Sequence, residues 1–302
     1  MTNDMRLLFV LDGFCSLKYF IPLAREAKVR GHTCVFKITP YTGKYNGAGR
    51  HLDKIKQLIL RHGFREGDGG DICISVEGVC MEEGYRNYVL VSMLDYMSLY
   101  RTYVDKADYV VFPSRWFVER ASKAYSECSL YGPEEISDID VPHKNLFLGS
   151  PKYDIKLNRK DICRKYSLDP AKKYGLIMYP RVPDEWRTDI SGAIKDFEAK
   201  GLVPLMKSRK KDPISRSFNV RDFYDASFFP STSMELIHIS EEVINTDSAT
   251  VKEAVMLDTP IRNIESKGYR VLEELYEPDA KKKYLWTGNS SSKIVSHMEE
   301  HV

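Results

Sequence analysis

The chain has 302 residues, 43% of them hydrophobic and 29% charged, which suits two ordinary globular cores better than one. Lys and Arg number 45 against 43 Asp and Glu, a formal charge of +2, so the basic excess of a dedicated nucleic-acid binder is excluded while a local basic pocket is not. No apolar run approaches the ~20 residues that cross a bilayer, and the opening Met1-Thr-Asn-Asp-Met-Arg lacks the regions of a signal peptide. The six cysteines are scattered, with neither a CxxC pair nor a Cys/His cluster at zinc spacing. These features predict a cytoplasmic protein with reduced thiols and no transmembrane segment.

Arg6–Leu11 (RLLFVL) reads as a strand covered on both faces, stopped by the turn Asp12-Gly13. Apolar positions at helical spacing follow from Lys18 to Val29, then Gly31 as the ending residue, then a second strand, Thr33–Ile38. A Gly-rich loop at Tyr41–Arg50 leads to a helix over about His51–Leu60. It contains a lysine but lacks the strand–GxxxxGK[ST]–helix order of a P-loop. Strands are expected at Asp71–Val76, Tyr88–Met93, Asp108–Phe112 and Asn145–Leu148, with a helix from Arg115 to about Tyr125. The stretch Gly149-Ser-Pro-Lys-Tyr-Asp154 breaks the periodicity and divides residues 1–150 from 151–302. The alternation then restarts: strands at Gly175–Tyr179, Leu202–Met206, Glu242–Asn245 and Pro260–Ile264, and helices at Ile190–Glu198, Thr232–Ile239, Ser248–Met256 and Tyr269–Leu275. A last helix, Ser291–Val302, is expected to pack back on the first domain. Alternating β and α in both halves predicts an α/β protein of two doubly wound, Rossmann-like domains facing a central cleft.

Open parallel sheets bind ligands beyond the carboxyl ends of their strands, so the strand-to-helix loops are where chemistry is expected. The strongest such segment is Val243-Ile-Asn-Thr-Asp247-Ser248-Ala249-Thr250-Val-Lys-Glu253-Ala254. An apolar strand ends, Asp247 stands at the cap position, and Ser248, Ala249 and Thr250 offer free N–H groups to a phosphate. Glu253, in the second turn, is placed to accept from ribose hydroxyls. An ordinary capped helix would carry the same pattern. Lys207 and Arg209, in a basic loop after a strand, suit a diphosphate, and Arg181 follows another strand at Tyr179-Pro180. In the first half Asp12, Glu77 and Asp95 all follow strands and are candidates for the base that deprotonates an acceptor hydroxyl. Glu77 is favoured because Gly78 follows it and the loop to Tyr85 is long. No DxD-type metal motif stands out. His238 reads as structural, and His297 and His301 near the end of the chain do not make a convincing ligand set.

The run TDSATVKEAVMLDTP resembles the donor-nucleotide segment of GT-B glycosyltransferases and their relatives. LGSPKYD at Leu148–Asp154 resembles the turn that closes the first domain in CDP-glycerol glycerophosphotransferases and Kdo transferases. LIMYPRVPDEWR at Leu176–Arg187 resembles the strand and loop that open the second domain in the former. The resemblance implies a donor site in the second domain at Arg181, Lys207, Arg209, Asp247, Ser248, Ala249, Thr250 and Glu253, and an acceptor domain before it. It implies a metal-independent transfer from a nucleotide sugar to a glycan or other hydroxyl acceptor, without a separate cofactor. The alternative is polyol-phosphate transfer from a CDP-alditol, although Lys207-Ser-Arg209 stands where that family usually carries a His-Pro. UDP-sugar 2-epimerases share the fold and a D-S-G-G segment, whose glycines are here Ala249 and Thr250. A fourth possibility, an inactive GT-B-like binding protein, would keep the fold without the chemistry.

Overall fold

Five consecutive apolar side chains, Leu7–Leu11, leave strand β1 (Arg6–Leu11) no face for water, and all five are buried in the computed structural model. The structure describes residues 4–11, 13–39, 52–77, 81–91, 104–116, 144–178, 187–208, 218–224, 230–245, 248–263, 277, 279–281 and 288–301. Within these, β1 is followed by a 3-10 turn (Phe14–Ser16) and helix α1 (Leu17–Val29), whose residues Phe20, Leu23, Ala24 and Ala27 recur at helical spacing and are buried. Strand β2 (Thr33–Ile38) returns parallel to β1, with Arg6 opposite Thr33 and Leu11 opposite Ile38.

Helix α2 (Leu52–Arg61) and strands β3 (Arg65–Glu66), β4 (Ile72–Val76), β5 (Arg86–Leu90), β6 (Tyr109–Val111) and β7 (Asn145–Leu146) complete the first sheet. The described strands lie in the order β3-β2-β1-β4-β5-β6-β7, and every pair is parallel. One face carries a core of Leu7, Phe9, Phe20, Phe36, Ile72, Ile74, Tyr88 and their neighbours, with Phe9 stacked on Phe36 at 5.0 Å between ring centroids. The other face carries Leu8, Val10, Val35 and Cys73.

The second half repeats the arrangement. After a 3-10 turn (Pro151–Tyr153) come helix α3 (Arg159–Lys165), β8 (Tyr174–Met178), helix α4 (Arg187–Ala199), β9 (Val203–Lys207), β10 (Arg221–Asp222), helix α5 (Thr232–Ile239), β11 (Ser240–Asn245), helix α6 (Ser248–Met256) and β12 (Ile261–Asn263). Their order is β10-β9-β8-β11-β12, again all parallel. Among the described residues no helix is long and apolar enough to cross a membrane.

The chain divides into two compact units, Met1–Ile155 with Tyr284–Val302, and Lys156–Lys283. The last helix, α7 (Ser290–His301), therefore belongs to the first unit, where Ile294, Val295 and Met298 enter the main core. Polar ties fix it there. The Asp154 carboxylate accepts from the backbone N–H groups of Ser290 and Ser291, at the positive end of the helix. Arg30 donates to Ser296 Oγ and Glu299 Oε2, each at 2.8 Å. His32 accepts from Met5 N–H at Nδ1, so its Nε2 carries the proton and donates to Glu299 Oε1 at 2.9 Å.

Several expected elements shift. Strand β5 starts at Arg86 rather than Tyr88, because the Asn87 side chain donates to the Glu82 and Tyr85 carbonyls and lets a polar pair enter the sheet. The two-residue edge strands β3 and β10 and the charged helix α3, capped by Asn158 accepting from Asp161 N–H, were not expected. The expected helix at Tyr269–Leu275 lies outside the described residues, as do the Gly-rich loop at 41–50 and all of the expected helix at Arg115–Tyr125 beyond Trp116.

Gly175 sits in the middle strand of the second sheet, and a Cβ there would lie 2.6 Å from the Phe197 ring of α4. Gly175→Ala is expected to cost about 1–3 kcal/mol through this overlap, read as a lower urea midpoint with an unchanged slope. Asp154→Ala removes the cap on α7 and is expected to cost about 0.5–2 kcal/mol in the same measurement.

Candidate functional site

In the second unit the strand ends line up. Met178 of β8 is opposite Lys207 of β9 on one side and Asn245 of β11 on the other, and Asn245 is opposite Asn263 of β12. With strands ~4.8 Å apart, Lys207 and the end of β11 are about 10 Å from each other along the carboxyl edge. The chain crosses from β8 to β9 on one side and to β11 on the other, so the strand order reverses between β8 and β11. That reversal opens a crevice where parallel sheets bind ligands. Helix α6 starts at Ser248, three residues past the end of β11, so its N-terminal N–H groups open at this edge.

Ser248, Ala249 and Thr250 form the first turn of α6. In the next turn Lys252 and Glu253 are both buried, at 3% and 5% exposure. Charges this deep persist only when partnered, and each has an interacting group. Lys252 went unnoticed in the sequence, where a lysine beside a glutamate reads as a solvated helix face. Just past β9, the Ser208 N–H donates to Asp222 Oδ1 at 3.0 Å and its hydroxyl to Oδ2, anchoring the end of the strand that carries Lys207 to the edge strand β10.

The first sheet has the same reversal, between β1 and β4. Glu77 is the first residue past β4 at that point. Its N–H donates to the Leu90 carbonyl at 3.0 Å, its backbone is left-handed at φ 56°, and only 5% of its surface is exposed. A non-glycine residue in this conformation is uncommon and is held by its surroundings. Strand end, reversal and turn thus converge on one buried carboxylate. The Pro151–Tyr153 turn packs Lys152 beside α1, its ammonium 4.7 Å from the Tyr153 ring centroid and 5.8 Å from that of Tyr19. Asp12, Asp95, Arg181, Arg209 and Asp247 lie outside the described residues, and for Ser248, Ala249 and Thr250 the backbone alone is described.

Two all-parallel sheets, each with strand order reversing beside its first strand, are of the GT-B type, a pair of Rossmann-like domains. Among solved structures the chain is similar to the UDP-GlcNAc 2-epimerase of Neisseria meningitidis bound to UDP-GlcNAc, with a TM-score of 0.59 and 10% identity over 99% of this chain and 100% of that one. The wall teichoic acid polymerase TagF is similar at a TM-score of 0.59 and 11% identity over 98% of this chain and 88% of that one. The UDP-GlcNAc 2-epimerase of Methanocaldococcus jannaschii, in complex with UDP-GlcNAc and UDP, gives 0.55 and 13% over 98% and 100%. At these identities the likeness is one of fold. No protein-family model matches the sequence, and no curated protein matches it.

The left-handed backbone at Glu77 makes a sharp prediction. Glu77→Asn, a residue that tolerates this conformation, is expected to keep the urea midpoint closer to that of the parent than Glu77→Val. The β-branched variant is expected to lose about 1–2 kcal/mol more.

Proposed function

We propose that the chain is a transferase that takes a sugar from a nucleoside-diphosphate donor and passes it to a hydroxyl acceptor. The opening of α6 at the strand-order reversal of the second sheet carries this reading. The diphosphate rests on the N–H groups of Ser248, Ala249 and Thr250, where the helix dipole favours negative charge. Lys207, at the end of β9 two strands from β11, is assigned to the same diphosphate, with Arg181, Arg209 and Asp247. Glu253 is assigned to the ribose. The first unit holds the acceptor and supplies the base, Glu77, with Asp12 and Asp95 as the alternative candidates for that role.

In the transfer the acceptor oxygen forms a bond to the anomeric carbon as its proton passes to the Glu77 carboxylate. The bond from that carbon to the diphosphate oxygen breaks, and its electron pair leaves with the nucleoside diphosphate. Fixed N–H dipoles and cationic side chains stabilise the leaving charge, the task a metal ion performs in other transferases.

A second reading, polyol-phosphate transfer, is favoured by the Leu148–Asp154 turn and the likeness in fold to TagF. There the acceptor oxygen attacks phosphorus and the nucleoside monophosphate leaves. Release of a diphosphate or a monophosphate therefore separates the two. Conversion of a UDP-sugar without acceptor would instead identify an epimerase.

The first test is thermal unfolding of the purified chain with UDP, GDP, CDP, dTDP and the matching nucleosides. One diphosphate is expected to raise the melting temperature while its nucleoside does not, since a ligand at 100 times its Kd adds about 2.7 kcal/mol. No shift with any diphosphate at millimolar concentration would overturn the donor site. Glu77→Gln is expected to retain that shift and to lose acceptor-dependent turnover by about 10²–10⁴-fold.

A further inference from the structure

Ser75 stands on β4 two residues before Glu77, one period of the strand away. It is 1% exposed, and its hydroxyl has no hydrogen-bond partner among the described residues. The face it lies on is apolar: Cys73, two residues earlier, packs there with Leu8, Val10 and Val35. Val89 of β5 is directly opposite Ser75, and on the other side Val10 of β1 follows Phe9, which is opposite Ile74. Both valines are buried. A valine at position 75 would complete this row with nearly the same shape. A buried hydroxyl left without a partner costs about 1–3 kcal/mol, so packing does not account for a serine here. Its place, beneath the residue that opens the crevice of the first sheet, points to a partner outside the chain.

We infer that Ser75 is a positioning residue for Glu77, its hydroxyl donating to one enclosed water that donates in turn to the Glu77 carboxylate. The inference rests on the assignment of Glu77 as the base. A rise of ~3.3 Å per residue sets the two Cα atoms about 6.6 Å apart, and two O–H···O bonds in series through a water span about 5.5 Å. Buried waters join two to four polar groups that the chain leaves unsatisfied, and the serine hydroxyl and the carboxylate supply two. The left-handed turn fixes the Glu77 backbone, and the water held by Ser75 fixes the side chain that hangs from it. Held from below, the carboxylate keeps its other oxygen for the acceptor hydroxyl. A hydrogen bond donated to a carboxylate also favours its charged form, so the same water keeps the base deprotonated to lower pH.

The test is a pH titration of Glu77 by carbon NMR, in chain labelled at its glutamate carboxyls, with the resonance identified by its absence from Glu77→Gln. Ser75→Val and Ser75→Thr share a shape that the row of valines accepts and differ by one hydroxyl. In Ser75→Val the Glu77 midpoint is expected to rise by about one pH unit, with a urea midpoint no lower than that of the parent. Ser75→Ala, which fits wherever serine fits, is expected to repeat the rise, and Ser75→Thr to titrate as the parent does. A Glu77 midpoint equal to the parent's in the valine and alanine variants, or raised as much in Ser75→Thr, would overturn the inference. The titration needs no substrate, so its failure is distinct from that of the base assignment, which falls if Glu77→Gln keeps full acceptor-dependent turnover.

Discussion

The burial of β1 and β8 on both faces is the constraint from which the rest of the structure follows. A parallel strand cannot be joined to its neighbour by a tight turn, so each connection must cross a face of the sheet and bring a helix with it. β1 has neighbours β2 and β4, and β8 has β9 and β11. The chain therefore leaves each of these strands in one direction and returns on the other side. The place where it changes direction falls at the carboxyl edge, and Glu77, Lys207 and the start of α6 stand at the strand ends there. The crevices are a result of covering the sheets, not an addition to them.

Two different physical devices stand at the two crevices. The second sheet offers the backbone of a helix terminus, backed by buried charged side chains at Lys252 and Glu253. The first offers a buried carboxylate on a left-handed turn. Preorganised dipoles bind an anion without sequence-specific basic residues, which is how a segment reading Ser-Ala-Thr can be a phosphate cradle. A carboxylate held in an uncommon backbone conformation is kept in one position by its surroundings, and that positional certainty suits proton transfer.

Much of this was legible in the sequence because strong periodicity survives on its own. Leu7–Leu11 and Leu176–Met178 are unbroken apolar runs, and Ser248–Met256 follows its strand with a polar turn between. What was not legible depends on partners distant in the chain. β3 and β10 are Arg-Glu and Arg-Asp, residues with no period, and they are strands only because β2 and β9 present a free edge. Helix α3 buries little beyond Ile162 and Cys163, so its charged surface hid it. The alignment of Lys207, Met178 and Asn245 is a matter of register, which no single segment encodes. The pairing of His297 with Tyr88 spans 209 positions and leaves no local trace.

The Asp154 cap on α7 has a consequence for how the chain comes to be folded. The first unit is discontinuous, since Lys156–Lys283 forms the second unit before Ile294, Val295 and Met298 arrive to close the first core. During synthesis at about 5–20 residues per second, the first sheet waits on the order of ten seconds with part of its apolar face uncovered. The second unit, complete within one stretch of chain, has no such wait. The half that begins first on the ribosome is thus the half that finishes last, and its maturation depends on a helix made only after its neighbour.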